Sequence, residues 1–75
     1  MKRYKNLGGD SEVSGYDIKL GSITVQFDSG DTYLYTDQSA GKDNVITMQN
    51  LAMAGRGLST FIAQSHPIYA DKWSR

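Results

Sequence analysis

The stretch ITVQFDSGDTYLYTD, residues 23–37, decides the fold. Ile23, Val25 and Phe27 alternate with Thr24 and Gln26, the period-two pattern of a strand with one buried face. A second run, from Thr32 to Thr36, follows a turn made of Asp, Ser and Gly. The length of that turn sets where Tyr33 and Tyr35 point. If Ser29-Gly30 alone is the loop, Phe27 faces Thr32 and Val25 faces Leu34, and both tyrosines lie on the far side with Thr24 and Gln26. If Asp28-Ser29-Gly30 is the loop, Val25 pairs with Tyr33 and Ile23 with Tyr35, because one residue of slip turns every side chain over. The three-residue loop is the better chemistry, since Gly30 supplies the positive φ that its last position needs. It puts the tyrosine rings on the apolar face with their hydroxyls at the rim.

Upstream of this hairpin, Val13, Tyr16 and Ile18 mark an irregular first strand between Glu12 and Lys19, with Gly15 at a bulge. Gly8, Gly9 and Asp10 form a turn before it, and residues 1–10 are expected as a flexible N-terminal arm. Downstream, DQSAGK (37–42) reads as a loop. DNVITMQNLAMAG (43–55) places Val45, Met48 and Ala52 at three- and four-residue spacing, a helix with Asp43 as N-cap and Gly55 at its C-terminal cap. Gly57 or Ser59 opens a second, short helix that buries Leu58, Phe61 and Ile62 and stops before Pro67. The tail, PIYADKWSR (67–75), fits either one more helical turn or an extended segment anchored by Tyr69 and Trp73. The expectation is one α+β domain over 1–75: a small antiparallel three-stranded meander covered on one face by one or two helices.

Eight basic and eight acidic side chains cancel, so the strongly basic footprint of a whole-domain nucleic-acid binder is missing. Lys2, Arg3 and Lys5 nevertheless precede the first acidic residue. The absence of cysteine leaves no disulfide framework and no thiolate zinc site, and fits a cytoplasmic setting. No apolar run reaches the length of a membrane span, so no membrane partner is expected. His66, the one histidine, can be combined on paper with Ser59 or Ser65 and Asp71. Neither serine is flanked by a nucleophile elbow or oxyanion motif, so no catalytic residue, metal or cofactor is expected. Its place before Pro67 reads as a helix end. Gly55-Arg56-Gly57 lacks the preceding strand and third glycine of a dinucleotide fingerprint. It reads as a flexible connection between helices, with Arg56 a lone cation in a loop free of acidic neighbours.

Several of these pieces together resemble the KTSC domain: GYD at 15–17, ITVQF at 23–27, the Ser29-Gly30 turn, the central YLY at 33–35 and LAMAGRGLSTFI at 51–62. That short domain occurs at the C-terminus of some lysyl-tRNA synthetases and alone in small bacterial and phage proteins, and its mark is a central Tyr-x-Tyr. The resemblance covers roughly Val13 to Ile62. It departs where family members run through a Val-Pro turn into the helix; this chain has TDQSAGKDN, without proline. The resemblance implies the fold above and points toward RNA.

Two functions follow as expectations. The first is a non-catalytic module binding RNA, tRNA or another nucleic acid. Tyr33 and Tyr35 would stack on bases while Arg56, Lys2, Arg3 and Lys5 meet phosphates. The second is a small protein-interaction module, a phage-type inhibitor or adaptor without enzymatic activity, monomeric or homodimeric. Its contacts would be an edge strand, Met53 or Trp73.

Overall fold

The computed structural model describes residues 1–9 and 11–74; Asp10, read above as part of a turn, lies outside the described residues. The chain runs β1 (Lys2–Arg3), β2 (Val13–Lys19), β3 (Ser22–Phe27), β4 (Thr32–Thr36), α1 (Asp37–Ala40), α2 (Lys42–Ala54), α3 (Leu58–Ser65) and β5 (Asp71–Trp73). The strands form one antiparallel sheet in the order β1-β2-β3-β4-β5. The α+β class and the meander are as expected, but the sheet has five strands, not three. The two additional strands are only two and three residues long. Neither can display an alternating pattern, and each exists because an edge of the central meander offers it hydrogen bonds.

The central hairpin takes the three-residue loop. Phe27 N–H donates to Asp31 O over 2.9 Å and Gly30 N–H donates to Phe27 O over 2.9 Å. Gly30 sits at φ 98°. Val25 therefore faces Tyr33 and Ile23 faces Tyr35, so both tyrosines share the apolar face. The β2–β3 pairing shifts register between Val13 and Gly15, the bulge expected at that glycine. A Cβ on Gly15 would lie 3.0 Å from Lys2 O, so the missing side chain lets β1 approach.

Helix α2 lays Val45, Met48 and Ala52 over β3 and β4. Ile23, Val25, Val45, Met48 and Leu58 are the largest fully buried side chains, each worth about 1.5–3 kcal/mol of apolar burial. Gly55 ends α2 in the left-handed region at φ 79°, its N–H donating to Leu51 O and Ala52 O. Leu58 at the start of α3 completes the core, with Phe61 and Ile62 packed against it. Gly57, not Ser59, is its N-cap, and His66 terminates it at φ 48°.

Three expectations are corrected. Residues 37–40 are a helical turn and not a loop. Thr36 caps it, accepting from Ser39 N–H, and Ser39 Oγ accepts in return from Thr36 N–H. Serine replaces the usual Glu or Gln of that reciprocal cap, which hides it in the sequence and makes three helices where one or two were expected. Asp43 is not the N-cap of α2. Gly41, at φ 93°, breaks α1 from α2, and Asp43 falls in the first turn, where its charge suits the helix dipole. The segment expected as a flexible arm is fastened at both ends of its path. Lys2 and Arg3 pair with Tyr16 and Gly15, Tyr4 is 4% exposed, and Leu7 N–H donates to Gly55 O over 2.7 Å.

The ambiguous tail is extended: Ala70 N–H donates to Leu34 O over 2.7 Å and leads into β5. Among the described residues no helix is long and apolar enough to cross a membrane.

Candidate functional site: an aromatic cleft beside the hairpin loop

The same register that buries the tyrosines brings one end of the sheet face to the end of α3. Between them lies a cleft of about 650 Å³, within the usual size range of ligand pockets, about 300–1,000 Å³. Its walls are Phe27, Tyr33, Tyr35, Tyr69, Ile62 and Pro67. Its polar rim carries Glu12, Asp28, Asp31 and His66. The left-handed turn at His66 followed by Pro67 ends the helix there and sends the chain back past Tyr33, which seats Tyr69 in the wall.

Tyr33 is the hub of the aromatic set. It meets Phe27 edge to face at 5.5 Å between centroids and Tyr69 edge to face at 5.1 Å, and it lies nearly parallel to Tyr35 at 6.2 Å. These edge-to-face contacts match the quadrupoles of the rings, with positive edges against negative faces. Lys72, opposite Tyr33 across the β4–β5 pair, holds its Nζ 5.2 Å from the Tyr33 ring centroid. That ammonium is kept above the usual lysine range chiefly by hydrogen bonding and charge from Tyr33, with Asp31 adding to it. Tyr35 is 2% exposed. Burial first, then the charges that Tyr33 and Tyr69 would carry, together push its phenol up to about 12. Asp31 Oδ1 accepts from Ser74 Oγ over 2.8 Å, which ties the chain just beyond β5 to the hairpin loop.

The six residues singled out from the sequence are not all brought together. Tyr33 and Tyr35 line the cleft, Tyr35 almost wholly buried and Tyr33 partly so. Arg56 stands in the turn between α2 and α3, beside a hollow of about 70 Å³ shared with Tyr4, Asn6 and Ser59. Lys5 packs against Gly55, the residue before Arg56, where a Cβ on Gly55 would lie 2.7 Å from Lys5 Cβ. Lys2 and Arg3 are on β1, and β2 and β3 separate that strand from the tyrosines of β4. Three interstrand steps of about 4.8 Å put the two sets about 14 Å apart along the sheet. Ser59 and His66 border different hollows.

Sequence reasoning missed Glu12, Asp28, Asp31, Phe27 and Pro67 as members of a site and gave Tyr69 only an anchoring role. Asp28 and Asp31 were legible in principle, because they bracket the loop at the end of an aromatic strand face. The meeting of that loop with the end of α3 is tertiary and leaves no local mark. Trp73 and Met53 are 48% and 54% exposed. Trp73 pairs with Thr32, one residue out of phase with Tyr33, so it belongs to the opposite face. Among the described residues no group of three or more His, Cys, Asp or Glu side chains could hold a metal ion. No family model, curated protein or solved structure matches the chain.

Proposed function

We propose that this chain is a non-catalytic module that binds another protein through the aromatic cleft, on a fold of the kind its Tyr-x-Tyr strand resembles in the KTSC domain. The observation that carries this reading is the composition of the cleft: four aromatic side chains enclosed by three carboxylates. Aromatic pockets with a polar rim are the usual anchor points of protein interfaces.

The nucleic-acid reading draws on the same tyrosines and on the cations of β1 and the α2–α3 turn. It is the weaker of the two because three carboxylates, Glu12, Asp28 and Asp31, line the cleft against the single Lys72 ammonium at Tyr33, and carboxylates repel phosphate. A heteronuclear NMR titration of the whole chain separates the readings. Short peptides should move the resonances of Phe27, Tyr33 and Tyr69, while single-stranded RNA and tRNA leave them in place. RNA that shifts those resonances, with affinity falling steeply as salt is raised, would replace the protein-binding reading with the nucleic-acid one.

A further inference from the structure

We infer that the cleft is a receptor for a guanidinium group, an arginine side chain presented by a partner polypeptide; this rests on the protein-binding reading above. The rings offer negative π faces to a cation. One such face is already used in this way, by the Lys72 ammonium 5.2 Å from the Tyr33 centroid. The rim adds the carboxylates of Glu12, Asp28 and Asp31. Three carboxylates against the single Lys72 ammonium leave the cleft with an excess of negative charge, so an incoming cation gains from it.

The shape of the cation follows from the walls. The rim carboxylates of Glu12, Asp28 and Asp31 suit a delocalised charge whose several donors can reach more than one of them. A guanidinium is planar, stacks on aromatic rings and is more weakly hydrated than an ammonium, and its five N–H donors can reach carboxylates and phenol oxygens together. Tyr33, Tyr35 and Tyr69 all line the cleft, and Tyr69, 48% exposed, is the most open of the three. A cleft of about 650 Å³ admits the long aliphatic stem as well, which packs against Phe27, Ile62 and Pro67.

The test uses the isotope-labelled full chain and two peptides, acetyl-Gly-Leu-Arg-Leu-Gly-amide and the same peptide with citrulline, a neutral near-isostere, in place of arginine. The arginine peptide should shift Phe27, Asp31, Tyr33 and Tyr69, and the citrulline peptide should bind roughly tenfold more weakly, about 1.4 kcal/mol. Asp28→Asn with Asp31→Asn should weaken the arginine peptide about fivefold with the circular dichroism spectrum unchanged. Lys72→Gln, on an exposed strand, should tighten it about twofold to fivefold by removing the resident cation, an effect that a purely structural role of Lys72 would not give. If both peptides bind the cleft equally, the cleft remains a protein-binding site and the guanidinium assignment falls. If neither moves the cleft resonances at about 5 mM, weaker than any useful recognition, both readings fall.

Discussion

The Tyr33 ring meets the Tyr69 ring edge to face, 5.1 Å between centroids and 73° between planes. One residue comes from the central hairpin and the other from the extended tail, so this contact joins the most regular part of the sheet pattern to the least regular part of the chain. It also sets a wall of the cleft that the core does not need.

Tyr69 is 48% exposed and Tyr35 is 2% exposed. Tyr69→Ala should therefore cost about 0.5–1.5 kcal/mol, the worth of an aromatic pair, and abolish peptide binding at the cleft. Tyr35→Ala should cost about 3–5 kcal/mol, the range for emptying a large aromatic site in a core. Urea denaturation of the two variants gives the comparison. If Tyr69→Ala proved the more destabilising, Tyr69 would be part of the core and the open cleft would be illusory.

Tyr4 tests the fastening of the N-terminal segment. Its ring is buried, its N–H donates to Ser14 O over 3.0 Å, and its hydroxyl accepts from Leu58 N–H over 3.4 Å. Tyr4→Ala should destabilise by about 3–5 kcal/mol, and Tyr4→Phe by about 1 kcal/mol or less because only that long hydrogen bond is lost. A free arm would give less than about 0.5 kcal/mol for either change. The Tyr4 amide should also exchange slowly with deuterium, at a rate set by opening of the β1–β2 pair.

How much of this was legible depends on the range over which each feature is encoded. The hairpin register was written locally, in Asp28-Ser29-Gly30 and the alternation before it. The apolar spacing of Val45, Met48 and Ala52 likewise carried its own helical period. Tyr4 was not legible, because a single aromatic among Lys2, Arg3 and Lys5 gives no pattern and its burial depends on Leu58, 54 residues away. The cleft was half legible: Tyr33 and Tyr35 were singled out, but the carboxylates and Tyr69 that give it a chemical character come from three further segments. Arg56 and the basic N-terminal residues were grouped with the tyrosines on residue type alone, and the sheet order separates them.

Gly55 carries two demands, of which Gly9 shares only one. Both have positive φ, 79° and 81°, but a Cβ at Gly55 would meet Lys5 Cβ at 2.7 Å while one at Gly9 would meet nothing within 4 Å. Gly9→Ala should cost about 1–2 kcal/mol, the left-handed penalty alone. Gly55→Ala should cost more, since the backbone of the Lys5 segment must move and the bond from Leu7 N–H to Gly55 O must lengthen with it. Thermal unfolding of the pair decides it; equal losses would mean that the N-terminal segment yields freely.

The Tyr35 phenol gives the stability a defined alkaline limit. Its pKa rises on folding from the ordinary 10.0 to about 12, first through burial and then through Tyr33 and Tyr69. Above pH 10 the unfolded chain releases this proton while the native chain retains it. The native state then binds more protons, and unfolding becomes easier as pH rises. The stabilisation is fully present below pH 10 and is lost as pH climbs through about 12. Two pKa units correspond to about 2–3 kcal/mol, a large share of the net stability of a domain this small. Tyr35→Phe removes the titrating hydroxyl and should flatten the fall between pH 10 and 12 while leaving neutral-pH stability within about 1 kcal/mol. Urea midpoints measured at pH 8, 10 and 11.5 on parent and variant check this, and parallel curves would show that the alkaline loss arises at another group.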